Sequence, residues 1–361
     1  MRCELKLKLH RRDKFHRRAI ERRIHSNLRS RRKRAAFARG LPFGDKRPTS
    51  RIDAPYAMNI FNWNNRRTFC KFMETLRQNL LQKCSKIIIS FDKTELITPS
   101  AMILFVAEID RAKRIFGNRF DVRLANVRDR TIRQLLVQIG LYELCGMTPP
   151  NLNERDFQEN VRHWRYATGE RANESTNDAF AAVEGLISDR LRGGMWRGVS
   201  EAVINSVQHA YAEPRGVPGP RMKHRRWWMF TQERDGELTV VACDLGIGIP
   251  RSLPLNWDEK LLARILGMFG ESGKDVAALK ASLELGRTST NKSHRGKGLP
   301  QIWDAVRGIE AGQNATIVIY SNKGRLSWNS IKNEENSIEY DTNIFGTVIS
   351  WSVPLQIEGR E

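Results

Sequence analysis

The pattern of apolar and polar positions in residues 52–146 predicts strands that alternate with helices. The run Lys86 to Asp92 is mostly apolar, with Ile-Ile-Ile and Phe91, which is typical of a strand buried on both faces. The elements predicted from apolar spacing are a helix over 66–82, a strand over 86–92, a helix over 99–116, a strand over 119–126 and a helix over 131–144. This order favours a small parallel α/β unit with right-handed crossovers.

A second set of elements follows in the C-terminal half. Val199, Val203 and Val207 recur one helical turn apart, so they form one buried face of a helix. The predicted elements are a helix over 195–210, a strand over 238–244 after a turn at 234–236, a helix that begins at Leu299, and a strand that follows Thr347.

Charge is concentrated at the N-terminus. The chain has 361 residues and a net charge of +21, and residues 1–50 hold 18 Lys or Arg against 4 Asp or Glu. Residues 9–39 have the spacing of a helix with a thin apolar stripe, and residues 41–50 are predicted to be a linker. Such an arm is either a solvated tail or a binding segment for nucleic acid phosphates, an anionic membrane surface or an acidic partner, and composition leaves these alternatives open.

Length and cysteine usage narrow the class of protein. An apolar content of 40% is enough for the cores of two or three domains. The five cysteines are scattered without a metal-binding or paired spacing, which favours reduced thiols. The sequence contains neither an apolar run of about 18 residues nor a secretory signal, so we expect a cytoplasmic protein without a transmembrane segment.

The helix over 195–210 carries the first candidate chemistry. Glu201 and Asn205 lie one turn apart on a face other than the valine face. A carboxylate and a carboxamide so placed can hold a hydrated Mg²⁺ and orient a water molecule. His209 follows one turn later, and we interpret it as a packing or capping residue.

Two glycine-rich segments add further candidate sites. The strand over 238–244 leads Asp244 into a loop with Gly246 and Gly248, where the carboxylate can accept a hydrogen bond from an exocyclic amine such as that of adenine. The run 295–298, Arg-Gly-Lys-Gly, opens the helix at Leu299 and is typical of a phosphate cradle. Its spacing differs from that of a Walker loop and of a dinucleotide-binding loop.

Taken in order, these motifs resemble those of the GHKL superfamily of ATPases. Residues 201–211 resemble the N box, most closely that of the anti-sigma serine kinases, and residues 244–249 resemble the G1 box. Residues 295–299 resemble the G2 box, and residues 345–354 resemble the final Gly-Thr and strand. The resemblance implies a Bergerat-type α/β sandwich over 165–356, with a mixed sheet, helices on one face, and ATP between helices and sheet.

The resemblance also implies a role for each matching residue. Glu201 would activate water, Asn205 would bind Mg²⁺, and Asp244 would bind the adenine amino group. The other implied nucleotide contacts are Gly246 and Gly248 at the adenine pocket, Gly296 and Gly298 at the phosphates, and Thr347 in support of the adenine site. Arg295 and Lys297 would neutralise charge on the γ-phosphate or are ordinary solvated side chains. Residues 285–294 match the mobile ATP lid of the superfamily.

Residues 52–146 resemble the STAS fold of anti-sigma-factor antagonists. That family has a serine phosphoacceptor at the start of a helix, where this chain has Pro99 flanked by Thr98 and Ser100. The phosphoacceptor is therefore unassigned, with Ser100 as a candidate. In the alternative interpretation Thr98 caps the helix and Pro99 occupies its first turn. Residues 147–164 are predicted to link the two units.

These features favour an ATP-binding regulatory protein in partner-switching signalling. We expect an ATPase or a protein serine/threonine kinase with a protein partner, and a homodimer is a further expected assembly. A classical histidine kinase is not expected, because His163 lacks the sequence context of a phosphoacceptor histidine. The alternatives are a nucleic-acid-associated, ATP-gated factor in defence or DNA transactions, anchored by residues 1–50, and a pseudoenzyme that only binds nucleotide.

Overall fold

The computed structural model describes most of the chain after residue 48. The described residues are 49–81, 86–117, 120–152, 165–170, 202–204, 206–217, 225–234, 236–270, 273–288, 298–309 and 313–354. The basic arm, Glu201, Asn205 and residues 289–297 lie outside these ranges.

The N-terminal half is a parallel α/β unit. Its elements are β1 (Thr49–Asp53), β2 (Ala57–Met58), α1 (Trp63–Leu81), β3 (Lys86–Ser90), β4 (Leu96–Ile97), α2 (Pro99–Phe116), β5 (Val122–Leu124), α3 (Arg130–Gln138) and α4 (Leu141–Leu144). Strands β1, β3 and β5 form a parallel sheet in the order β1-β3-β5, and β2 pairs with β4 in parallel. The predicted alternation of strands and helices is confirmed.

Two boundaries in this half differ from the prediction. The helix predicted over 131–144 is interrupted at Gly140, whose φ of 72° is left-handed and therefore ends α3. Strand β1 begins at Thr49, two residues inside the predicted linker over 41–50. That linker boundary was wrong, because Thr49 pairs in register with Lys86 of β3.

The C-terminal half is built on a seven-stranded sheet. Its elements are β6 (Arg165–Gly169), β7 (Trp227–Arg234), β8 (Glu237–Asp244), α5 (Ile249–Asn256), α6 (Glu259–Gly267), α7 (Lys274–Thr288), α8 (Gly298–Arg307), β9 (Thr316–Ser321), β10 (Gly324–Asn329), β11 (Glu334–Glu339) and β12 (Thr347–Pro354). Residues 202–204 and 206–209 are helical, as predicted. The strand order is β11-β10-β9-β12-β8-β7-β6.

Every described pair of neighbouring strands in this sheet is antiparallel. The expectation of a mixed sheet was therefore wrong for the described strands. For β9 and β10 the physical reason is the length of the connection, since two residues leave room for a hairpin but not for a crossover.

Helices cover both faces of the seven-stranded sheet. Alternate strand residues point to opposite faces, so Trp227 and Met229 pack with α7 and α8, whereas Trp228 and Phe230 pack with α2. Helices α7 and α8 lie on one face, in line with the expectation for residues 165–356, and α2, which lies outside that range, covers the second face. Residues 52–146 and the sheet therefore share one apolar core.

The described part of the chain contains no helix that is both long enough and apolar enough to cross a membrane.

Candidate functional site

Asp244 is the last residue of β8, a central strand of the seven-stranded sheet. Its neighbours across the sheet are Thr347 in β12 and Trp227 in β7. The side chain is only 6% exposed, and its Oδ1 accepts a hydrogen bond of 2.8 Å from the Gly246 N–H. The apolar residues of β8 anchor the strand between two helical layers, which holds the carboxylate at the strand end.

Burial is the largest influence on Asp244 and raises its pKa to about 6. Hydrogen bonds with the Gly246 and Thr347 backbones and the Ser206 side chain, together with the positive charge of Arg215, lower the pKa and so limit the rise. At neutral pH the carboxylate is mainly ionised and acts as a hydrogen-bond acceptor in a buried position.

The loop after β8 packs tightly against the preceding helical segment. A Cβ atom on Gly246 would lie 2.1 Å from the Ala210 carbonyl oxygen, and the same oxygen accepts a hydrogen bond of 2.7 Å from Ile247 N–H. Gly248 has a φ of +79° and lies against the side chain of Asn322, which donates to the Ile247 carbonyl at 2.9 Å. The glycines therefore allow the loop to approach its neighbours closely.

Two hydroxyl groups connect the loop to the sheet. Ser321 Oγ accepts a hydrogen bond of 2.8 Å from Ile249 N–H at the start of α5. It also lies 3.1 Å from Thr347 Oγ1. The structure therefore brings together Asp244, Gly246 and Thr347, three of the residues predicted for the adenine pocket, with Gly248 in the same loop.

The remaining predicted site residues are only partly described. Gly298 is the first residue of α8, so the predicted helix start is confirmed. Of the lid predicted over 285–294, the first four residues belong to α7 and the others lie outside the described residues. Predicted residues outside the described ranges are Glu201, Asn205, Arg295, Gly296 and Lys297, whose roles stay predictions.

The candidate phosphoacceptor Ser100 is the second residue of α2 and is only 9% exposed. Pro99 occupies the first turn, as the alternative interpretation predicted. Thr98 stands at the N-cap, but its hydroxyl accepts no hydrogen bond from the helix and instead donates to the Met58 carbonyl at 3.1 Å. The prediction of a side-chain cap was therefore wrong, because the hydroxyl is directed to the neighbouring strand β2.

An ionic cluster that the sequence analysis missed lies beside this site. Glu108 of α2 is 1% exposed and forms ion pairs with Arg77, Arg111 and Arg215. Burial would raise the pKa of Glu108, but the charges of Arg215, Arg77 and Arg111 lower it to about 2. The available sequence signal was a single charged residue at a core position of an otherwise apolar helix face.

The site combines a buried carboxyl group at a strand end with a glycine loop that follows it. Comparison with models of known protein families found no match, and comparison with curated proteins found none either. Any function assigned to the chain therefore has to follow from its own side chains and their positions.

Proposed function

We propose that the chain binds ATP at the Asp244 pocket and acts as a GHKL-type ATPase or protein serine/threonine kinase. The observation that carries this proposal is the buried carboxylate of Asp244 at the end of β8, directly before the tightly packed Gly246. An exocyclic adenine amine would add a further donor to this carboxylate, which already forms hydrogen bonds with Gly246, Thr347 and Ser206.

The donor and acceptor groups around the pocket fit an adenine nucleotide. A carboxylate has about four acceptor positions, so the hydrogen bonds with Gly246, Thr347 and Ser206 leave capacity for about one ligand donor. Gly298 stands at the first turn of α8, where free N–H groups favour phosphate oxygens. Asn205 would ligate Mg²⁺, but it lies outside the described residues.

The proposed chemistry depends mainly on positioning. When bound, Mg-ATP supplies a transferable γ-phosphoryl group. Glu201 would accept a proton from the attacking water or hydroxyl, and Arg295 and Lys297 would neutralise charge at the γ-phosphate. The low exposure of Ser100 disfavours self-phosphorylation there and supports a protein partner as acceptor, which is consistent with partner-switching signalling by a STAS-like unit.

The first test incubates the purified protein with Mg²⁺ and γ-labelled ATP and follows free phosphate and protein-bound label together. Free phosphate alone identifies an ATPase, and label retained on protein identifies a kinase. The control is Asn205→Ala, which should lose both signals. If the wild-type protein binds no ATP, the proposed function is wrong.

A second test assigns the general base. Glu201→Ala should abolish turnover while Mg-ATP affinity stays within about twofold, because the carboxylate acts on the reacting proton and not on the adenine. Turnover and affinity are measured on the same preparation. Turnover equal to that of the wild type would remove Glu201 from this role.

The charge of residues 1–50 supports a second candidate function, binding of nucleic acid in an ATP-gated assembly. Binding of a duplex DNA probe should then weaken steeply with salt and be lost when residues 1–50 are deleted. Binding that survives this deletion would contradict the second candidate.

A further inference from the structure

The guanidinium of Arg215 connects α2 to the turn that precedes β12. Its Nη1 donates to Glu108 Oε1, and its Nε donates to the Phe345 carbonyl at 2.5 Å. Nη2 lies 3.5 Å from the Ile344 carbonyl oxygen. The side chain is only 8% exposed, so these protein groups take the place of water around the charge.

The turn that Arg215 holds lies directly against Asp244. Phe345 has a φ of 56°, a left-handed conformation that is unfavourable for a bulky residue and needs support from its surroundings. A Cβ atom on Gly346 would stand 2.3 Å from the Asp244 carbonyl oxygen. Thr347, the residue opposite Asp244 in the sheet, follows at once.

A second connection runs from α2 to the other side of Asp244. Asp110 accepts a hydrogen bond of 3.0 Å from Trp228 Nε1 and lies 3.3 Å from Arg226 Nε. The Arg226 carbonyl accepts from the Tyr211 hydroxyl, which in turn accepts from Leu245 N–H at 3.3 Å. Both connections therefore end at residues that flank Asp244.

These connections cross from one face of the sheet to the other. Asp244 continues the alternation of Val240 and Ala242, whose side chains face α7 and α8. Helix α2 covers the opposite face. A displacement of α2 would therefore move Arg215, and Arg215 would move the turn before β12, which lies beside the end of β8.

We propose that Arg215 is a positioning residue of the nucleotide pocket, and that Glu108 makes nucleotide affinity depend on the placement of α2. This inference rests on the proposed function, because it states that the STAS-like unit controls the nucleotide affinity of the same pocket. Arg215 fixes the turn before Thr347 and keeps a positive charge near Asp244. Loss of Arg215 would release the turn and favour the protonated carboxyl, which is a weaker acceptor for an amine than the carboxylate.

The pH dependence of affinity separates this role from general structural support. Tyr211, Arg215 and Cys243 are titratable groups that interact electrostatically with Asp244. Burial raises the pKa of both Tyr211 and Cys243, so both stay neutral near pH 7. Arg215 therefore supplies the positive charge that favours the ionised form of Asp244.

The test measures Mg-ATP affinity of the intact chain by titration calorimetry from pH 5 to 8. Arg215→Met should weaken binding about tenfold at pH 7 and move the midpoint of the pH profile upward by about one unit. The matched control is Arg111→Met, because Arg111 pairs with the same carboxylate, that of Glu108, at 3.6 Å. This control should keep affinity within about twofold of the wild type and the same midpoint.

A conservative variant keeps the test decisive if Arg215→Met fails to fold. Arg215→Lys retains the charge but cannot reach Glu108 and both carbonyls at once, so it should weaken binding severalfold without moving the midpoint. This inference alone would be overturned if the wild type binds Mg-ATP but the affinity and pH midpoint of Arg215→Met, or the affinity of Arg215→Lys, equal those of Arg111→Met. A wild-type protein that binds no Mg-ATP at any pH would overturn the proposed function and this inference together.

Discussion

At the level of single residues, the main chain of Gly246 lies in contact with the Ala210 carbonyl. Gly246→Ala should destabilise the protein by about 1–3 kcal/mol, because the added methyl group forces the loop away from the helix. The matched control is Gly267→Ala at the end of α6, where a Cβ atom meets nothing within 4 Å. Urea unfolding measures both, and the expectation fails if the two variants are equally stable.

The buried carboxyl of Asp244 gives stability a distinct pH dependence. Its folded pKa of about 6 lies above the ordinary value of 3.8, so the native state binds a proton more tightly than the unfolded chain. The resulting stabilisation is complete below about pH 4 and is lost as the pH rises through 6, a change of about 3 kcal/mol. Asp244→Asn should lack this change.

The measurement is urea unfolding of wild type and Asp244→Asn at several pH values between 4 and 7. The difference in unfolding free energy, wild type minus variant, should fall across this range. A constant difference would mean that the pKa of Asp244 is not raised. Since all other groups are shared by the two proteins, their titration cancels in the difference.

Sequence reasoning found Asp244 and Gly246 because both belong to a local pattern of strand, acidic residue and glycine loop. It could not find the partnership of Glu108 with Arg215, since 107 positions separate them. Such a pair has no periodic spacing, and its members become neighbours only when α2 packs on the sheet.

At the level of elements, Arg66 attaches α1 to the rim of the large sheet. This fully buried guanidinium donates to the Asn322 carbonyl at 2.7 Å and to the Thr342 carbonyl at 3.1 Å. Arg66→Met should cost about 2–4 kcal/mol of stability, because both carbonyl groups lose a charged donor and the Asn322 carbonyl keeps only the Ile344 N–H at 3.2 Å. Arg67→Met, which removes the exposed ion pair with Asp341, should cost at most about 1 kcal/mol.

Urea denaturation of the two variants checks this expectation on the same helix with the same substitution. If both variants lose the same free energy of unfolding, the burial of Arg66 does not contribute to stability. The attachment also bears on the pocket, because the side chain of Asn322 holds the Ile247 carbonyl of the glycine loop.

Helices and strands of this protein differ in how clearly the sequence predicts them. Helix α2 was predicted with its observed bounds, since a proline opens it and Gly117 follows its last residue. Strand β7 was not predicted. Its apolar run, Trp-Trp-Met-Phe, is only four residues long, and periodicity alone does not distinguish so short a run from a segment of a buried helix.

For the whole molecule, the shared core predicts joint unfolding. Helix α2 packs against β7, β8 and β12, and its removal would expose apolar side chains such as Trp228, Phe230 and Val348. Native-state hydrogen exchange should therefore give α2 and β8 amides the same opening free energy, within about 1 kcal/mol. Much lower protection of α2 would mean that the N-terminal half opens independently, as separate domains with a linker over 147–164 would.

Local order along the chain was enough to predict the alternation of strands and helices, the helix starts at Pro99 and near Leu299, and the placement of Asp244 before its glycine loop. These features depend on backbone preferences and on side chains a few positions apart. Three others needed the folded chain: antiparallel pairing, burial of both faces of the large sheet, and the Glu108–Arg215 contact. Each of these features arises where residues from distant segments of the chain pack together and exclude water. A short stretch of sequence does not contain the information that predicts such a contact.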